Sequence, residues 1–253
     1  YLRDGYCRTA AEKLLHAERG TVLLTTGFYV AGYAETDGPL GTVAVAEALN
    51  HLGFHSVVVT DKYCKGFFEL KQLDVEYVDI AADEQVYEDI LDKYNPVYMI
   101  SIERCGENAE HEYANMRGVS ITSETAAIDH LFELAPEKHI PTIGVGDGGN
   151  EIGMGNVKDI ISEKLELNPC VVPVDDLIIA TTSNWGAYAL TAWLQKLSGE
   201  EVLFTFAEAE PYLAATLEIG SVDGVLKEKK MGVDGFDMTV EKEILDSLAE
   251  AIA

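Results

Sequence analysis

The segment Gly144–Gly155 contains the residue types best suited to chemistry. It begins within a short apolar run and places Asp147, Asn150 and Glu151 among several glycines. These side chains offer the hard oxygen atoms that Mg²⁺ and Mn²⁺ prefer. The segment therefore predicts part of a divalent-metal site.

The glycines of the same segment predict an anion site beside that metal. Glycine adopts backbone conformations closed to other residues and lets main-chain N–H groups crowd round an anion. A phosphate that bridges the metal and the amides of Gly148 and Gly149 fits this chemistry. A tight strand-to-helix turn, capped by Asp147 or Asn150, explains the same residues in purely structural terms.

Two short motifs match this segment in part. Gly144, Gly146 and Gly149 fit the spacing G-x-G-x-x-G of dinucleotide sites, but Asp147 would then lie beside the pyrophosphate. Residues Gly146–Glu151 resemble the G-D-G-x-N-D metal loop of haloacid-dehalogenase-type phosphatases. The nucleophile motif of that family, two Asp separated by one residue after the first strand, is absent. The resemblance therefore implies metal chemistry without a covalent aspartyl-phosphate.

Further carboxylates follow other predicted strands. Glu35 and Asp37 come after the first strand, and Glu103 directly follows the fourth. Ligands of an open parallel sheet bind beyond the carboxyl ends of its strands, so we expect these side chains at one rim. Converging carboxylates repel one another unless a cation lies between them. The predicted ligands of Mn²⁺ or Mg²⁺ are Asp37, Glu103, Asp147, Asn150 and Glu151.

A second group of residues at this rim is predicted to contact the substrate. Arg104 is a cation among carboxylates, which can clamp a substrate anion or form a plain salt bridge. Ser183 and Asn184 lie where a helix begins, so that capping explains them as well as substrate binding does. The predicted substrate-binding residues are Glu35, Thr26, Arg104, Gly148, Gly149, Ser183 and Asn184. The predicted catalytic residues are Asp37, Asp147 and Glu151.

Alternating strands and helices must position these residues. Short runs rich in Val, Ile and Thr predict strands at Thr21–Thr26, Ser56–Thr60, Val75–Val78, Val97–Ile102, Thr142–Val145 and Leu177–Thr182. Helical patterns occur at Leu2–Glu18, Leu40–Leu52, Gln85–Tyr94, Ser123–Leu134, Val157–Leu165, Trp185–Leu197, Ala207–Leu217 and Val240–Ile252. The alternation predicts an α/β fold, a doubly wound, mostly parallel sheet in a three-layer α/β/α sandwich. We expect a single domain over residues 1–253, with a mobile loop or lid at 220–237.

The acidic composition limits the classes of partner that the protein can bind. Asp and Glu number 44 against 18 Lys and Arg, for a net charge of −26 in 253 residues. Such a surface repels phosphate backbones and anionic lipid, so we expect no nucleic-acid and no membrane partner. A small anionic metabolite is the predicted ligand, and the formation of a homo-oligomer is left open. The four scattered cysteines fit buried thiols in a reducing cytoplasm.

Four segments together resemble a known family. They are Glu35–Gly41, Ile102–Gly106, Gly144–Gly155 and Ser183–Leu190. They are similar to the domain found at the C-terminal end of mitochondrial D-glutamate cyclases, which also occurs alone in prokaryotes. Two-domain members are lyases that dehydrate D-glutamate to 5-oxo-D-proline, and metal-dependent phosphatase activity has been proposed for stand-alone relatives.

Three functions agree with these observations. The first is a Mn²⁺- or Mg²⁺-dependent hydrolase, a phosphatase acting on a small phosphorylated metabolite. The alternative is a D-glutamate cyclase-type lyase, which rests on the family resemblance. The third is a non-catalytic module that binds metal or metabolite.

Overall fold

Six parallel strands form the central sheet of the computed structural model, which describes Leu2 and residues 4–253. Two short antiparallel hairpins, β2–β3 and β9–β10, lie outside this sheet. The strands are β1 (Thr21–Thr25), β2 (Tyr29–Val30), β3 (Tyr33–Ala34), β4 (His55–Thr60), β5 (Asp74–Tyr77), β6 (Tyr98–Ile102), β7 (Thr142–Gly146), β8 (Asp176–Ile179), β9 (Gly232–Val233) and β10 (Phe236–Asp237).

The order of the strands creates a crevice at the centre of the sheet. Along the sheet the order is β5-β4-β1-β6-β7-β8, so the chain first winds outward from β1 and then returns to its other side. Strands β1 and β6 are parallel neighbours although they are distant in sequence. Their connections leave in opposite directions, which opens a gap beyond their carboxyl ends where α/β proteins bind ligands.

Helices cover both faces of the sheet. In β1, Val22 and Leu24 belong to one apolar cluster and Leu23 to the other, as the alternation of side chains along a strand requires. Residues of α1, α2, α6, α7 and α8 contribute to the first cluster, and residues of α3, α4 and α5 to the second. The helices are α1 (Tyr6–His16), α2 (Pro39–His51), α3 (Gln85–Tyr94), α4 (His130–Lys138), α5 (Lys158–Lys164), α6 (Ser183–Ser198), α7 (Phe206–Ile219) and α8 (Met238–Ile252). The predicted doubly wound three-layer α/β/α sandwich is confirmed.

No helix in the described part of the chain has the length and apolar character that crossing a bilayer would require. The predicted helix Leu2–Glu18 includes Arg3, which lies outside the described residues, and α1 accounts for its central part.

The helix predicted at Ser123–Leu134 is partly wrong, because α4 begins only at His130. In the segment before it, the carbonyl oxygen of Ala126 accepts a hydrogen bond of 2.7 Å from Arg104 Nη2. The Ala126 carbonyl oxygen therefore accepts from the side chain of a distant residue and not from an N–H group of a helical turn.

Arg104 joins three chain segments beneath the carboxyl edge of the sheet. Its Nη1 atom donates to Asp61 Oδ2 and to the carbonyl oxygen of Gly27, at 2.7 Å each. The Arg104 side chain is fully buried and the Asp61 side chain is 3% exposed. The predicted role of Arg104 as a substrate clamp is therefore corrected to its alternative, a salt bridge, because both terminal nitrogens of the buried guanidinium donate to protein acceptors.

We expect Arg104→Met to lower the free energy of unfolding by about 3–5 kcal/mol, because it leaves the buried Asp61 carboxylate without its partner. Urea denaturation of both proteins measures this difference. Arg117→Met is the matched control, since Arg117 is exposed and its loss should change stability by less than about 0.5 kcal/mol. Equal midpoints for the two variants would contradict the structural role of Arg104.

Candidate active site

Asp37 lies where two helices begin. It precedes the first turn of α2, and its carboxylate accepts hydrogen bonds from the backbone N–H groups of Ser183 (2.7 Å) and Asn184 (2.8 Å) at the start of α6. Helix N-termini favour negative charge, which makes this position suitable for a buried carboxylate. Gly38 follows with φ 93°, and a Cβ there would lie 2.6 Å from Thr26 Oγ1 and 2.8 Å from Glu103 Cβ. Only glycine therefore lets the turn bring Asp37 against the end of β6.

Ser183 and Asn184 position the carboxylates. Asn184 Oδ1 accepts hydrogen bonds from the N–H groups of Gly38 (3.0 Å) and Gly41 (2.7 Å), which ties α6 to the start of α2. Ser183 Oγ donates to Glu103 Oε2 at 2.5 Å. Both side chains are fully buried and hydrogen-bonded to protein, so these contacts support a positioning role and not the predicted substrate contact. Thr26 is also fully buried and packs beneath the turn at Gly38.

Three carboxylates meet at the crevice, each from a different chain segment. Asp37, Glu103 and Asp147 each offer an oxygen atom, and these atoms all lie within 4.8 Å of one another. Glu103 directly follows β6 with φ 50°, a left-handed conformation that is uncommon for a residue with a side chain and is found at functional sites. Asp147 directly follows β7. The spacing of the three oxygens fits one shared cation.

The glycine-rich loop after β7 is organised by its own carboxylate. Glu151 accepts hydrogen bonds from the backbone N–H groups of Gly148 (2.8 Å) and Gly149 (2.7 Å). The predicted phosphate cradle is therefore corrected, because these two amides already donate to Glu151. Glu151 is fully buried and lies outside the three carboxylates that are close enough to share an ion, so its place here is that of a loop support.

The Asn150 side chain takes no part in the hydrogen bonds between Glu151 and the glycine-rich loop. Its Nδ2 atom donates to the carbonyl oxygen of Ala114 at 2.8 Å, whereas its buried Oδ1 atom has no hydrogen-bond partner among the described residues. Asn150 lines the same cavity as Glu103 and Asp147. This oxygen therefore has no hydrogen bond within the described part of the chain that would compete with a ligand or an ion.

A cavity of about 240 Å³ opens beside the three carboxylates. Its wall includes Glu35 and Asp234, which add two further carboxyl groups. A larger depression of about 750 Å³ is lined by Tyr98, Thr142 and Asp176. These residues are the first of β6, β7 and β8, so that depression lies at the opposite edge of the sheet, away from the acidic cluster.

The segment 223–235 forms part of the cavity wall, which the sequence analysis missed. Asp223 is fully buried and accepts hydrogen bonds from the N–H groups of Leu226 (2.7 Å) and Gly235 (2.8 Å). A Cβ at Gly224 would lie 2.0 Å from Glu35 Oε2, so the backbone packs directly on that carboxylate. Val-Asp-Gly occurs twice, at 222–224 and 233–235, which was the available signal. The mobility expected for 220–237 stays a prediction.

The electrostatics of the site favour a bound cation. Burial raises the pKa of Glu35, Glu103 and Asp147, and neighbouring carboxylates raise each pKa further. Burial followed by repulsion from Asp234 also raises the pKa of Asp37, although its backbone hydrogen bonds oppose this. Within the part of the chain that the structure describes, no Lys, Arg or His forms an ion pair with these side chains.

We expect the metal-free protein to lose stability as pH rises. Burial and repulsion from Asp223 raise the pKa of Asp234 from 3.8 to about 6 in the folded state. The folded protein then binds more protons than the unfolded chain, so the free energy of unfolding falls between these two pH values. Urea denaturation in EDTA at pH 4 to 7 measures the fall, and Asp234→Asn should make it smaller. Asp159→Asn, an exposed control, should leave the slope unchanged, and equal slopes for both variants would contradict the assignment.

Together the fold and the site define a doubly wound α/β domain with an acidic pocket at the crevice of its sheet. A family model described as D-glutamate cyclase-like, C-terminal, matches residues 1–249. The chain belongs to this family, as the four sequence segments predicted. It is also similar to human mitochondrial D-glutamate cyclase, with 32% identity over 259 aligned residues that cover 88% of this chain. The match covers 40% of the length of that relative.

Solved structures show a weaker likeness. The UDP-GlcNAc 2-epimerase of Methanocaldococcus jannaschii has a TM-score of 0.40 and 13% identity, over 81% of this chain and 54% of that one. The UDP-glucose 4-epimerase of Brucella ovis, in complex with NAD, has a TM-score of 0.35 and 14% identity, over 71% and 47% of the two chains. TM-scores this low carry no inference about ligands.

Proposed function

We propose that this chain catalyses the cyclisation of D-glutamate to 5-oxo-D-proline and that Asp37, Glu103 and Asp147 hold Mn²⁺ or Mg²⁺ for this reaction. The observation that carries the proposal is the convergence of three carboxylate oxygens within 4.8 Å beside a cavity of about 240 Å³. Membership of the D-glutamate cyclase-like family supports the choice of reaction. The phosphatase hypothesis has less support, because the amides expected to bind phosphate donate to Glu151.

The residues of the trio fit a divalent ion on chemical grounds. All three offer hard carboxylate oxygens, as Mg²⁺ and Mn²⁺ prefer, and each carboxylate comes from a separate, ordered chain segment. When bound, the metal supplies a Lewis acid for the γ-carboxylate of the substrate. Its positive charge would also offset the repulsion that, after burial, raises the pKa values of these groups.

The reaction needs proton transfer between two groups of one substrate molecule. The amine nitrogen forms a bond to the γ-carboxyl carbon, and one carbon–oxygen bond breaks. Two protons leave the ammonium group of D-glutamate, and both leave with the departing oxygen as water. Glu35 and Asp234 line the cavity outside the metal-binding trio, so they can accept a proton from nitrogen and return it to oxygen.

The size of the cavity and the acidic groups in its wall support this choice of substrate. Its volume is suited to a small metabolite and lies below the range of about 300–1,000 Å³ of drug-sized ligand pockets. The carboxyl groups of Glu35 and Asp234 would attract the ammonium group, and Asp37, Glu103 and Asp147 would hold the metal that binds the substrate carboxylate. A phosphorylated metabolite would bring further negative charge to a strongly acidic wall.

Incubation with D-glutamate and Mn²⁺ tests the proposed reaction. We expect 5-oxo-D-proline in the presence of Mn²⁺ or Mg²⁺ and its loss in EDTA, with the product measured by chiral chromatography. Asp147→Asn should lower the rate at least ~100-fold, because metal ligation and local charge both change. The exposed control Asp159→Asn should retain the wild-type rate. Unchanged D-glutamate with both metals would reject the cyclase for this chain.

Metal binding is measured separately from turnover. We expect Mn²⁺ to raise the melting temperature of the wild-type protein, since an ion that binds only the folded state stabilises it. Glu103→Gln should weaken Mn²⁺ binding in isothermal titration calorimetry, with Asp159→Asn again as the control. Tight binding without any turnover would favour the non-catalytic module, and equal affinity in Glu103→Gln would reject the assigned metal ligands.

A further inference from the structure

We infer that Arg117 and Lys227 form a carboxylate-binding rim at the mouth of the acidic cavity and that they select an amino dicarboxylate as substrate. This inference rests on the proposed function for the identity of the ligand. Both cations line the cavity of about 240 Å³ together with Glu35, Glu103 and Asp234.

The negative and positive side chains of this cavity lie at different depths. Glu103 is 5% exposed and Glu35 is 7% exposed, whereas Arg117 and Lys227 are both exposed. The acidic groups therefore form the floor and the two cations lie at the mouth. A ligand that enters meets positive charge first and a metal-binding acidic surface beneath it.

The two cations are not accounted for by ion pairs within the protein. Among the described residues, neither Arg117 nor Lys227 takes part in a salt bridge. The chain carries 44 acidic residues and only 18 Lys and Arg, so carboxylate partners are plentiful elsewhere on its surface. Two unpaired cations from distant parts of the chain instead line the same acidic cavity, which points to an anionic ligand.

Hydrogen-bonded turns define the backbone that carries both cations. Asn115 Oδ1 accepts hydrogen bonds from the N–H groups of Arg117 (2.9 Å) and Val119 (3.2 Å), an arrangement that fixes the first turn. Lys227 has φ 59°, and its N–H group donates to the carbonyl oxygen of Asp223 at 2.7 Å. The backbone of each turn is thus defined, although the side chains extend to solvent.

The chemistry of the rim identifies the part of the substrate that it binds. Guanidinium and ammonium groups recognise carboxylates through charge-assisted hydrogen bonds. The γ-carboxylate and the ammonium group of D-glutamate are assigned to the metal and the acidic floor, which leaves the α-carboxylate for the rim. Local positive charge at the mouth also attracts an anionic substrate to a protein whose net charge is −26.

Removal of the two charges tests the rim. We would compare the wild-type protein with Arg117→Met, Lys227→Met and the double variant. Lys229→Met is the matched control, since Lys229 is exposed, removes the same charge and does not line the cavity. Isothermal titration calorimetry with Mn²⁺ present would measure binding of D-glutamate and of 4-aminobutanoate, which is D-glutamate without its α-carboxylate. Circular dichroism would verify that each variant is folded.

The inference predicts that removing both charges weakens the binding of D-glutamate but not that of 4-aminobutanoate. The double variant should bind D-glutamate about tenfold or more weakly, as the loss of a charge-assisted contact implies, with 4-aminobutanoate affinity unchanged. Lys229→Met should match the wild-type protein for both ligands. The inference would be rejected if the double variant bound both ligands equally weakly, or if Lys229→Met had the same effect as the double variant. It would also be rejected if the wild-type protein did not bind D-glutamate.

Turnover distinguishes this inference from the proposed function. If the wild-type protein forms 5-oxo-D-proline and the double variant has the same KM, the rim is rejected and the cyclase stands. If the wild-type protein binds D-glutamate through the rim but forms no product, the cyclase is rejected and the carboxylate-binding role stands.

Discussion

Mutual repulsion among buried carboxylates is the constraint on which the rest of this structure depends. Asp37, Glu103 and Asp147 bring three oxygens within 4.8 Å of one another, and Glu35 and Asp234 add negative charge to the same cavity. The protein opposes this repulsion with backbone N–H groups at Asp37 and with the Ser183 hydroxyl at Glu103. Such contacts hold the side chains in place but do not neutralise them. A bound Mn²⁺ or Mg²⁺ would offset this repulsion, which adds to the effect of burial on the pKa values of these groups.

The topology of the sheet explains why these charges meet. The chain reverses its winding between β1 and β6, and this reversal opens the crevice beyond their carboxyl ends. Helices α2 and α6 begin on either side of Asp37, so their N-terminal N–H groups point towards the place where charge collects. A parallel sheet with another strand order would separate the same residues along its carboxyl edge.

Side chains that line the cavity and side chains that bond only to protein lie within a few residues of each other. Glu103 faces the cavity, whereas the next residue, Arg104, is enclosed beneath the sheet edge with Asp61. Glu151 fastens the glycine-rich loop, whereas Asp147 in the same loop joins the acidic trio. Polar residues that are neighbours in the sequence therefore contact different surroundings, because the backbone turns in a different direction after each strand.

Sequence patterns by themselves determined the layered α/β fold, because buried parallel strands and amphipathic helices have distinct apolar periods. They also predicted that Asp37, Glu103 and Asp147, together with Asn150 and Glu151, lie at one rim, since these residues follow strands whose carboxyl ends share one edge. The start of α4, the internal bonding of Gly148 and Gly149, and the inclusion of Asp223 and Asp234 in the site were not predictable in this way. Those features depend on contacts between residues far apart in the chain, such as Arg104 with Ala126 and Gly224 with Glu35. Only the tertiary structure decides such contacts, because hydrogen-bond partners and close packing are set by positions in space, whereas sequence spacing constrains only the local backbone.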